Sequence, residues 1–234
     1  MSMDYTATFA GPDAMLGDIL DAVEKRLVPI GFTRSTSIVR VALDPARGVF
    51  DELDGEEIGG FSQVVEVKSD LAGWAGGAVE YLNRDFGGFY LLAGRSEGAF
   101  ANLWVDVDEK RIRRFAEDQQ RHTYYAVLNA VALGCSAEVG IANLEGAFEP
   151  IAPSELLSSV RAAQDRAMRL PAQLFVVAGD GTTQRDVEAH WGVGAAAKRF
   201  AGGRVIVETA EYRRFWGISE GEHQKPERRE EPQN

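Results

Sequence analysis

The sequence predicts an α+β protein with a mixed or mainly antiparallel sheet and helices packed over one face of it. Residues 86–108 hold two apolar strands on either side of a Gly-Arg-Ser-Glu-Gly turn, which predicts an antiparallel pair. The strand-like and helical segments do not alternate strictly, as they would in a purely parallel α/β sheet. The first helical segment also carries its apolar residues in one stripe, which suits a helix lying against a sheet.

Before this hairpin, we expect strands at residues 5–9, 32–43 and 61–68. A helix follows the first of them, because Pro12 suits a helix start and apolar residues recur at helical spacing. That stripe consists of Leu16, Ile19, Leu20, Val23 and Leu27. A second helix is expected from Ser69, its buried stripe formed by Leu71, Trp74, Ala75, Ala78 and Leu82. Three glycines in this helix oppose it, since each costs about 1 kcal/mol relative to alanine.

After the hairpin, helical spacing predicts helices at residues 115–133 and 153–169, a short one ending at Trp191, and a final one at 211–216. Short apolar runs predict strands at 137–142, 174–178 and 204–209. Residues 195–200 are expected to add one more helical turn. The inward stripe of the 115–133 helix should consist of Tyr124, Tyr125, Leu128, Val131 and Ala132.

The domain organisation follows from the prolines and the charge distribution. Residues 1–150 are expected to form the main α+β domain, and residues 151–218 a smaller α/β subdomain packed on it. The boundary is placed at 149–154, where two prolines lie between elements. Residues 219–234 are charged and poor in apolar side chains, which predicts a flexible tail.

The overall charge limits the classes of partner. The chain has 25 Lys and Arg against 36 Asp and Glu, a net charge of −11. Nucleic acids and anionic membranes attract cationic surfaces, so neither is an expected partner. No apolar run approaches the 18 residues typical of a membrane span, and the N-terminus does not resemble a signal peptide. We therefore expect a cytoplasmic protein.

No motif points to a metal or cofactor. Cys135 is the one cysteine of the chain, so an internal disulfide is excluded, and its place after a helix end favours a buried apolar role over a nucleophilic one. The chain has no Gly-x-Ser-x-Gly, His-Glu-x-x-His or paired Cys-x-x-Cys motif. This favours a non-enzymatic protein, with no cofactor and no metal site expected.

The second hairpin strand carries a candidate partner-binding surface. One face of it is aliphatic, whereas the other carries Phe100, Asn102, Trp104, Asp106 and Asp108. This mixed face is either covered by a helix or exposed as a recognition surface. If exposed, its aromatic side chains would supply buried contact area and its acids would attract a basic partner. Acidic residues of the predicted 44–60 loop, namely Asp51, Glu52 and Asp54, are further candidates for contact.

A glycine-rich turn carries a candidate phosphate site. Gly179, Asp180, Gly181, Thr182 and Thr183 follow an apolar strand and precede a helix. Backbone N–H groups at such a helix start can bind phosphate. The alternative is a plain turn whose threonine caps the helix, because Thr183 and Asp186 have capping-box spacing.

Two functions follow from these candidate surfaces. The first is a cytoplasmic protein-binding module, an immunity-type or adaptor protein that recognises a basic partner. The second is a small-molecule or nucleotide-handling enzyme that uses the 179–183 loop, with Asp106 and Asp108 as metal ligands. The enzyme requires both segments to meet at one pocket. Partner identity, substrate and oligomeric state stay open.

Overall fold

The computed structural model of the chain describes residues 4–44, 49–52, 74–96, 99–112, 114–144, 150–165, 170, 172–179 and 182–218. Their strands are β1 (Tyr5–Pro12), β2 (Thr33–Asp44), β3 (Val49–Glu52), β4 (Trp74–Asn83), β5 (Gly87–Ser96), β6 (Phe100–Val107), β7 (Val139–Leu144), β8 (Leu174–Ala178), β9 (Ala196–Phe200) and β10 (Arg204–Glu208). Their helices are α1 (Leu16–Leu27), α2 (Glu109–Ile112), α3 (Asp118–Gly134), α4 (Pro153–Gln164), α5 (Gln184–Trp191) and α6 (Ala210–Phe215), with a 3₁₀ turn at Val28–Ile30.

The ten described strands form one sheet in the order β3-β2-β4-β5-β6-β1-β7-β8-β10-β9. Every pairing between them is antiparallel. The predicted hairpin is β5 and β6, which pair from Tyr90 opposite Asp106 to Ser96 opposite Phe100. The prediction of an α+β fold with a mainly antiparallel sheet is confirmed.

The main core lies between one face of the sheet and helices α1, α3 and α6. The predicted stripe of α1 is buried throughout, as is that of α3. Alternate residues of β1, Tyr5, Ala7 and Phe9, meet them from the sheet. Gly134 marks how closely the two long helices pack, because a Cβ at that position would lie 2.3 Å from Cγ2 of Val23.

A second, smaller core lies on the opposite face, under α4 and α5. Leu156 and Val160 of α4 and Trp191 of α5 pack there against alternate residues of the sheet, including Phe175 of β8. The sequence pattern indicates helices over one face of the sheet. In this half of the sheet, α4 and α5 also cover the opposite face.

The helix predicted from Ser69 to Leu82 is wrong where the structure describes it, because Trp74–Asn83 is strand β4. Its apolar residues fit a helical stripe, but they also fit a strand, and β4 pairs with β5 over ten consecutive residue pairs. The turn that joins them is built by Asn83, whose Oδ1 accepts hydrogen bonds from the backbone of Asp85 and Phe86. Non-local pairing therefore outweighs the local stripe.

The helical turn predicted at 195–200 is also wrong, because this segment is strand β9. It pairs with β10 across a turn in which Gly202 and Gly203 have φ values of 85° and 74°. Two adjacent glycines between short runs are a hairpin signal, since they adopt positive φ without strain.

The predicted acidic loop at 44–60 is partly a strand. Asp51 and Glu52 belong to β3 and lie opposite Ala42 and Val41 of β2. Asp54, the strand predicted at 61–68 and the tail predicted at 219–234 lie outside the described residues.

β7 and β8 join the two predicted parts of the chain. Val139 to Ala142 pair with Leu174 to Val177, so the sheet continues from the predicted main domain into residues 151–218. The division into a main domain and a subdomain stays a prediction. Within the described part of the chain, no helix has the length and apolar character needed to cross a bilayer.

Candidate functional site

A polar row crosses the sheet on the face opposite the main core. Strand pairing places its members in register, one from each of five neighbouring strands. We call Glu80, Tyr90, Asp106, Thr6 and Asn143 the polar row. The row exists because β1, β4, β5, β6 and β7 each alternate between core-facing apolar residues and residues on this second face.

Asp106 lies at the centre of the polar row and is half-buried. The hydroxyl of Thr6, which is 1% exposed, donates a hydrogen bond of 2.8 Å to its Oδ1. Burial raises the pKa of the Asp106 carboxyl to about 6, and the nearby acids Asp4 and Asp108 add to the increase, whereas the Thr6 hydrogen bond opposes it. The row thus holds a carboxylate in surroundings that stabilise its charge poorly.

Tyr90 is the exposed aromatic residue of the row, with 45% of its surface accessible. The two aromatic residues predicted to contact a partner are less accessible: Trp104 is 0% exposed, and Phe100 is only partly exposed. Of the two alternatives for this face, exposure is excluded for Trp104, whose side chain is buried. Since Tyr90 lies directly opposite Asp106 in the β5–β6 pair, an aromatic side chain beside acids is still present on this face.

Asp108 has a local structural role. Its Oδ1 accepts a hydrogen bond of 3.1 Å from the backbone N–H of Arg111, and its Oδ2 forms an ion pair with the Arg111 guanidinium. Both contacts hold the start of α2, where a carboxylate is favourable. Asp108 therefore contributes charge near Asp106 while it caps a helix.

A groove of about 560 Å³ opens next to the row, between α4 and the strands β1 and β7. Its volume is within the range typical of ligand-binding clefts. The polar residues that line it are Thr8, Asn143, Glu155, Ser159 and Gln173. Its apolar residues are Ile141, Pro150, Ile151, Leu156, Ala162 and Ala163.

Asn143 belongs to both the polar row and the groove. Its Oδ1 is buried and has no hydrogen-bond partner among the residues that the structure describes. A buried polar atom without a partner is unfavourable, typically by about 1–3 kcal/mol.

The predicted phosphate loop is described only in part, since Asp180 and Gly181 lie outside the described residues. Thr183 caps α5: its hydroxyl accepts a hydrogen bond of 3.1 Å from the Asp186 N–H, and Asp186 accepts one of 2.7 Å from the Thr183 N–H. The capping alternative is therefore confirmed for Thr183. The Thr182 carbonyl accepts a hydrogen bond from Arg199, and the Gly179 N–H donates to the Gly203 carbonyl at 2.9 Å. Phosphate binding by the loop stays a prediction.

The described residue that precedes the loop, Ala178, lies far from the acids of β6. Asp106 is level with Asn143 of β7, whereas Ala178, which precedes the loop, is level with Glu138 at the other end of β7. Three strand spacings and five residues along a strand separate them, roughly 20 Å. The described residues Ala178 and Thr182 line a separate pocket, and Asp106 is not among the described residues of its lining.

The remaining candidates for catalysis or metal binding are the Cys135 thiol and clusters of His, Cys, Asp and Glu side chains. Cys135 is 3% exposed and burial raises the pKa of its thiol to about 12, so it is a buried apolar residue as predicted. In the described ranges, no three His, Cys, Asp or Glu side chains are arranged to hold a metal ion.

Sequence reasoning identified Asp106 but missed the other four residues of the polar row. The signal for Thr6 was available, because the Tyr5–Phe9 segment alternates apolar and threonine residues. Glu80 was hidden by the helix predicted over β4, whereas Tyr90 lies in the first strand of the predicted hairpin and was not identified as a contact residue. Asn143 carries no local signal, because only the β1–β7 register places it beside Thr6.

Comparisons with known proteins identify no family for this chain. No protein-family model matches it, and no curated protein matches it. A solved structure, "Pseudomonas aeruginosa T6SS protein PA0821", aligns with 88% of this chain at 15% sequence identity and a TM-score of 0.41. The alignment spans 65% of that protein's chain. A similarity at this level carries no inference about function.

Proposed function

We propose that this protein is a binding module that recognises a basic segment of a protein partner through the polar row. The observation that supports the proposal most directly is the register of the row, which sets the exposed Tyr90 between Glu80 and Asp106. An aromatic residue between two acids suits a lysine or arginine side chain, whose charge the acids attract and whose stem the ring can contact.

The state of Asp106 adds a physical reason for such a partner. Its carboxylate is partly desolvated, so a cation from the partner would replace lost interactions with water. The net charge of −11 would also speed the encounter with a basic protein. An immunity-type or adaptor protein of the cytoplasm is the specific form of binding module that we propose.

A peptide-display selection on the immobilised protein tests this function. We expect the selected peptides to be enriched in lysine and arginine. Tyr90→Ala should weaken their binding by about 1–2 kcal/mol, as for an aromatic contact residue, and Glu80→Lys should weaken it further by repelling the cation.

Matched controls lie elsewhere on the surface. Phe215 is 48% exposed, close to the exposure of Tyr90, so Phe215→Ala controls for the loss of a surface ring. The exposed Glu138 serves as the control for charge reversal. Selected peptides without basic residues, or binding that falls equally in the Phe215 and Tyr90 variants, would contradict the proposed function.

A further inference from the structure

Leu82 is an exposed aliphatic residue beside the polar row. It belongs to β4, lies two residues after Glu80 and is 43% exposed, close to the 45% of Tyr90. Because side chains two positions apart share a face of a strand, Leu82 and Glu80 lie on the same face of the sheet. Tyr90 is on this face too, since it lies opposite Glu80 in the β4–β5 pair. Two exposed apolar side chains therefore adjoin one carboxylate.

Gly88 allows these groups to come together. It lies opposite Leu82 in the β4–β5 pair and has no side chain to separate its neighbours. A Cβ at Gly88 would lie 2.8 Å from Leu82 Cδ2 and 3.6 Å from Glu80 Oε1, so both side chains reach from β4 towards this glycine. Gly88 and Tyr90 are two residues apart on one face of β5, which corresponds to about 7 Å. The surface thus has an aliphatic position over Gly88 and an aromatic one at Tyr90, with the Glu80 carboxylate beside them.

The spacing of these two positions favours an extended partner segment. Side chains at positions i and i+2 of an extended chain share a face and lie about 7 Å apart, whereas neighbours on one face of a helix are about 5–6 Å apart. The basic side chain of the proposed partner contacts Tyr90 between Glu80 and Asp106. The side chain two positions away then meets Leu82, where an aliphatic group is favourable because it removes apolar surface from water.

We propose that the recognised segment is an extended chain in which an aliphatic residue lies two positions from the lysine or arginine. The basic side chain contacts Tyr90 and Glu80, and the aliphatic side chain contacts Leu82. This inference rests on the proposed function, which supplies the basic side chain, and it adds a second determinant of specificity. Gly88 maintains the surface, because a Cβ at this position would also lie 2.8 Å from the backbone oxygen of Tyr81.

Four peptides of equal length test this spacing. Two carry Lys-Thr-Leu and Leu-Thr-Lys between flanking glycine and serine residues, because either chain direction places the pair two positions apart. The third carries Lys-Leu-Thr, which has the same composition but directs leucine to the other face, and the fourth carries Ser-Thr-Leu without a cation. NMR titration of the protein, followed at the amide signals of Gly88 and Tyr90, gives each affinity. We expect the better of the first two peptides to bind roughly three- to tenfold more tightly than Lys-Leu-Thr.

A variant of Leu82 identifies the residue that reads the leucine. Leu82→Thr removes most of the aliphatic contact but keeps a residue that strands favour. It should abolish the advantage of the better peptide over Lys-Leu-Thr and preserve its advantage over the peptide without a cation. Leu170, which is 58% exposed, supplies the matched control, since Leu170→Thr should preserve both preferences. Equal affinities for the two spacings, or a spacing preference that survives Leu82→Thr, would overturn the inference.

The inference and the proposed function fail separately. If the lysine peptides bind more tightly than the uncharged peptide and Glu80→Lys removes that difference, but the position of leucine has no effect, the inference is wrong and the proposed function stands. If lysine gives no advantage in any peptide, the proposed function fails and this inference fails with it.

Discussion

The charged form of the Asp106 side chain destabilises the folded protein. Its pKa of about 6 in the folded protein lies above the ordinary value of 3.8. Between pH 3.8 and about pH 6, the Asp106 carboxyl is mostly protonated in the folded state and mostly charged in the unfolded state. The stabilisation that this bound proton provides is lost as the pH rises through about 6. At neutral pH the carboxylate therefore lowers the free energy of unfolding.

Replacing Asp106 with asparagine should raise stability at neutral pH. The amide resembles the protonated acid, and its oxygen can still accept the hydrogen bond from Thr6. We expect the free energy of unfolding to rise by about 1–3 kcal/mol at pH 7.5 and to change little at pH 3.5. Urea denaturation at both pH values measures this.

The exposed Asp85 supplies the control for Asp106→Asn. Asp85→Asn should change stability by less than about 0.5 kcal/mol at either pH, as surface substitutions usually do. If Asp106→Asn instead lowers stability at pH 7.5, the charged carboxylate is stabilised in the fold and the basis for its pairing with a partner cation disappears.

Glu208, unlike Asp106, is a buried acid whose charge is balanced by neighbouring arginines. It is 0% exposed, and its carboxylate lies 2.9 Å from a guanidinium nitrogen of Arg213 and 3.5 Å from Nε of Arg121. The hydroxyl of Tyr125 donates a hydrogen bond of 2.8 Å to the Glu208 carboxylate and accepts one of 3.1 Å from the hydroxyl of Tyr212. This cluster joins α3, β10 and α6, so it holds the last described helix on the core.

Glu208→Gln should destabilise the protein strongly. The amide keeps hydrogen-bonding capacity, but Arg121 and Arg213 lose their shared buried counter-charge, which typically costs about 3–5 kcal/mol. Glu117→Gln is the matched change at an exposed pair with Arg114, where we expect less than about 1 kcal/mol. Similar midpoints for both variants in urea denaturation would refute a stabilising role for the cluster.

At the scale of the element, strand β9 illustrates how a sheet edge is closed. Among the described strands, β9 has β10 as its single neighbour. On its outer side, Gln184 Nε2 donates to the Ala195 carbonyl at 2.7 Å, and Gln184 Oε1 accepts from the Ala197 N–H at 3.3 Å. The side-chain amide thus occupies the backbone groups that a further strand would use.

Removing this amide should open the edge. We expect Gln184→Ala to lower stability by about 1 kcal/mol through the lost hydrogen bonds and to cause concentration-dependent self-association. Sedimentation velocity over a range of protein concentrations measures the association. Gln119→Ala, at an exposed position of α3, is the control and should not associate more than the unmodified protein. Equal behaviour of the two variants would mean that Gln184 does not protect the edge.

Helix α1 and strand β4 show when a local sequence pattern predicts an element correctly and when it does not. α1 is correctly predicted because its apolar residues recur only at helical spacing and all five are buried. β4 is wrongly predicted because Trp74, Ala78 and Leu82 fit a helical stripe, while the alternation that buries Val79 and Tyr81 is equally present. The asparagine turn after β4 decides between them, since it returns the chain into β5.

At the scale of the whole molecule, the two faces of the sheet differ in chemistry. One face is apolar and covered by α1, α3 and α6, whereas the other carries the second core at one end and the polar row beside it. The row crosses five strands that are neighbours in the sheet in the order β4, β5, β6, β1 and β7, although β1 comes first along the chain. A surface of this kind requires the complete sheet, because no two adjacent residues in sequence contribute to it.

By itself, the sequence determined the fold class, the β5–β6 hairpin, the buried stripes of α1 and α3, and Asp106 as a residue of interest. These depend on periodicity and turn chemistry, which act over a few residues. Only the tertiary structure decided that Trp104 is buried, that Tyr90 is exposed, and that Asn143 and Thr6 join Asp106. Strand order and register decide those facts, and they result from the packing of segments that lie up to about 140 residues apart.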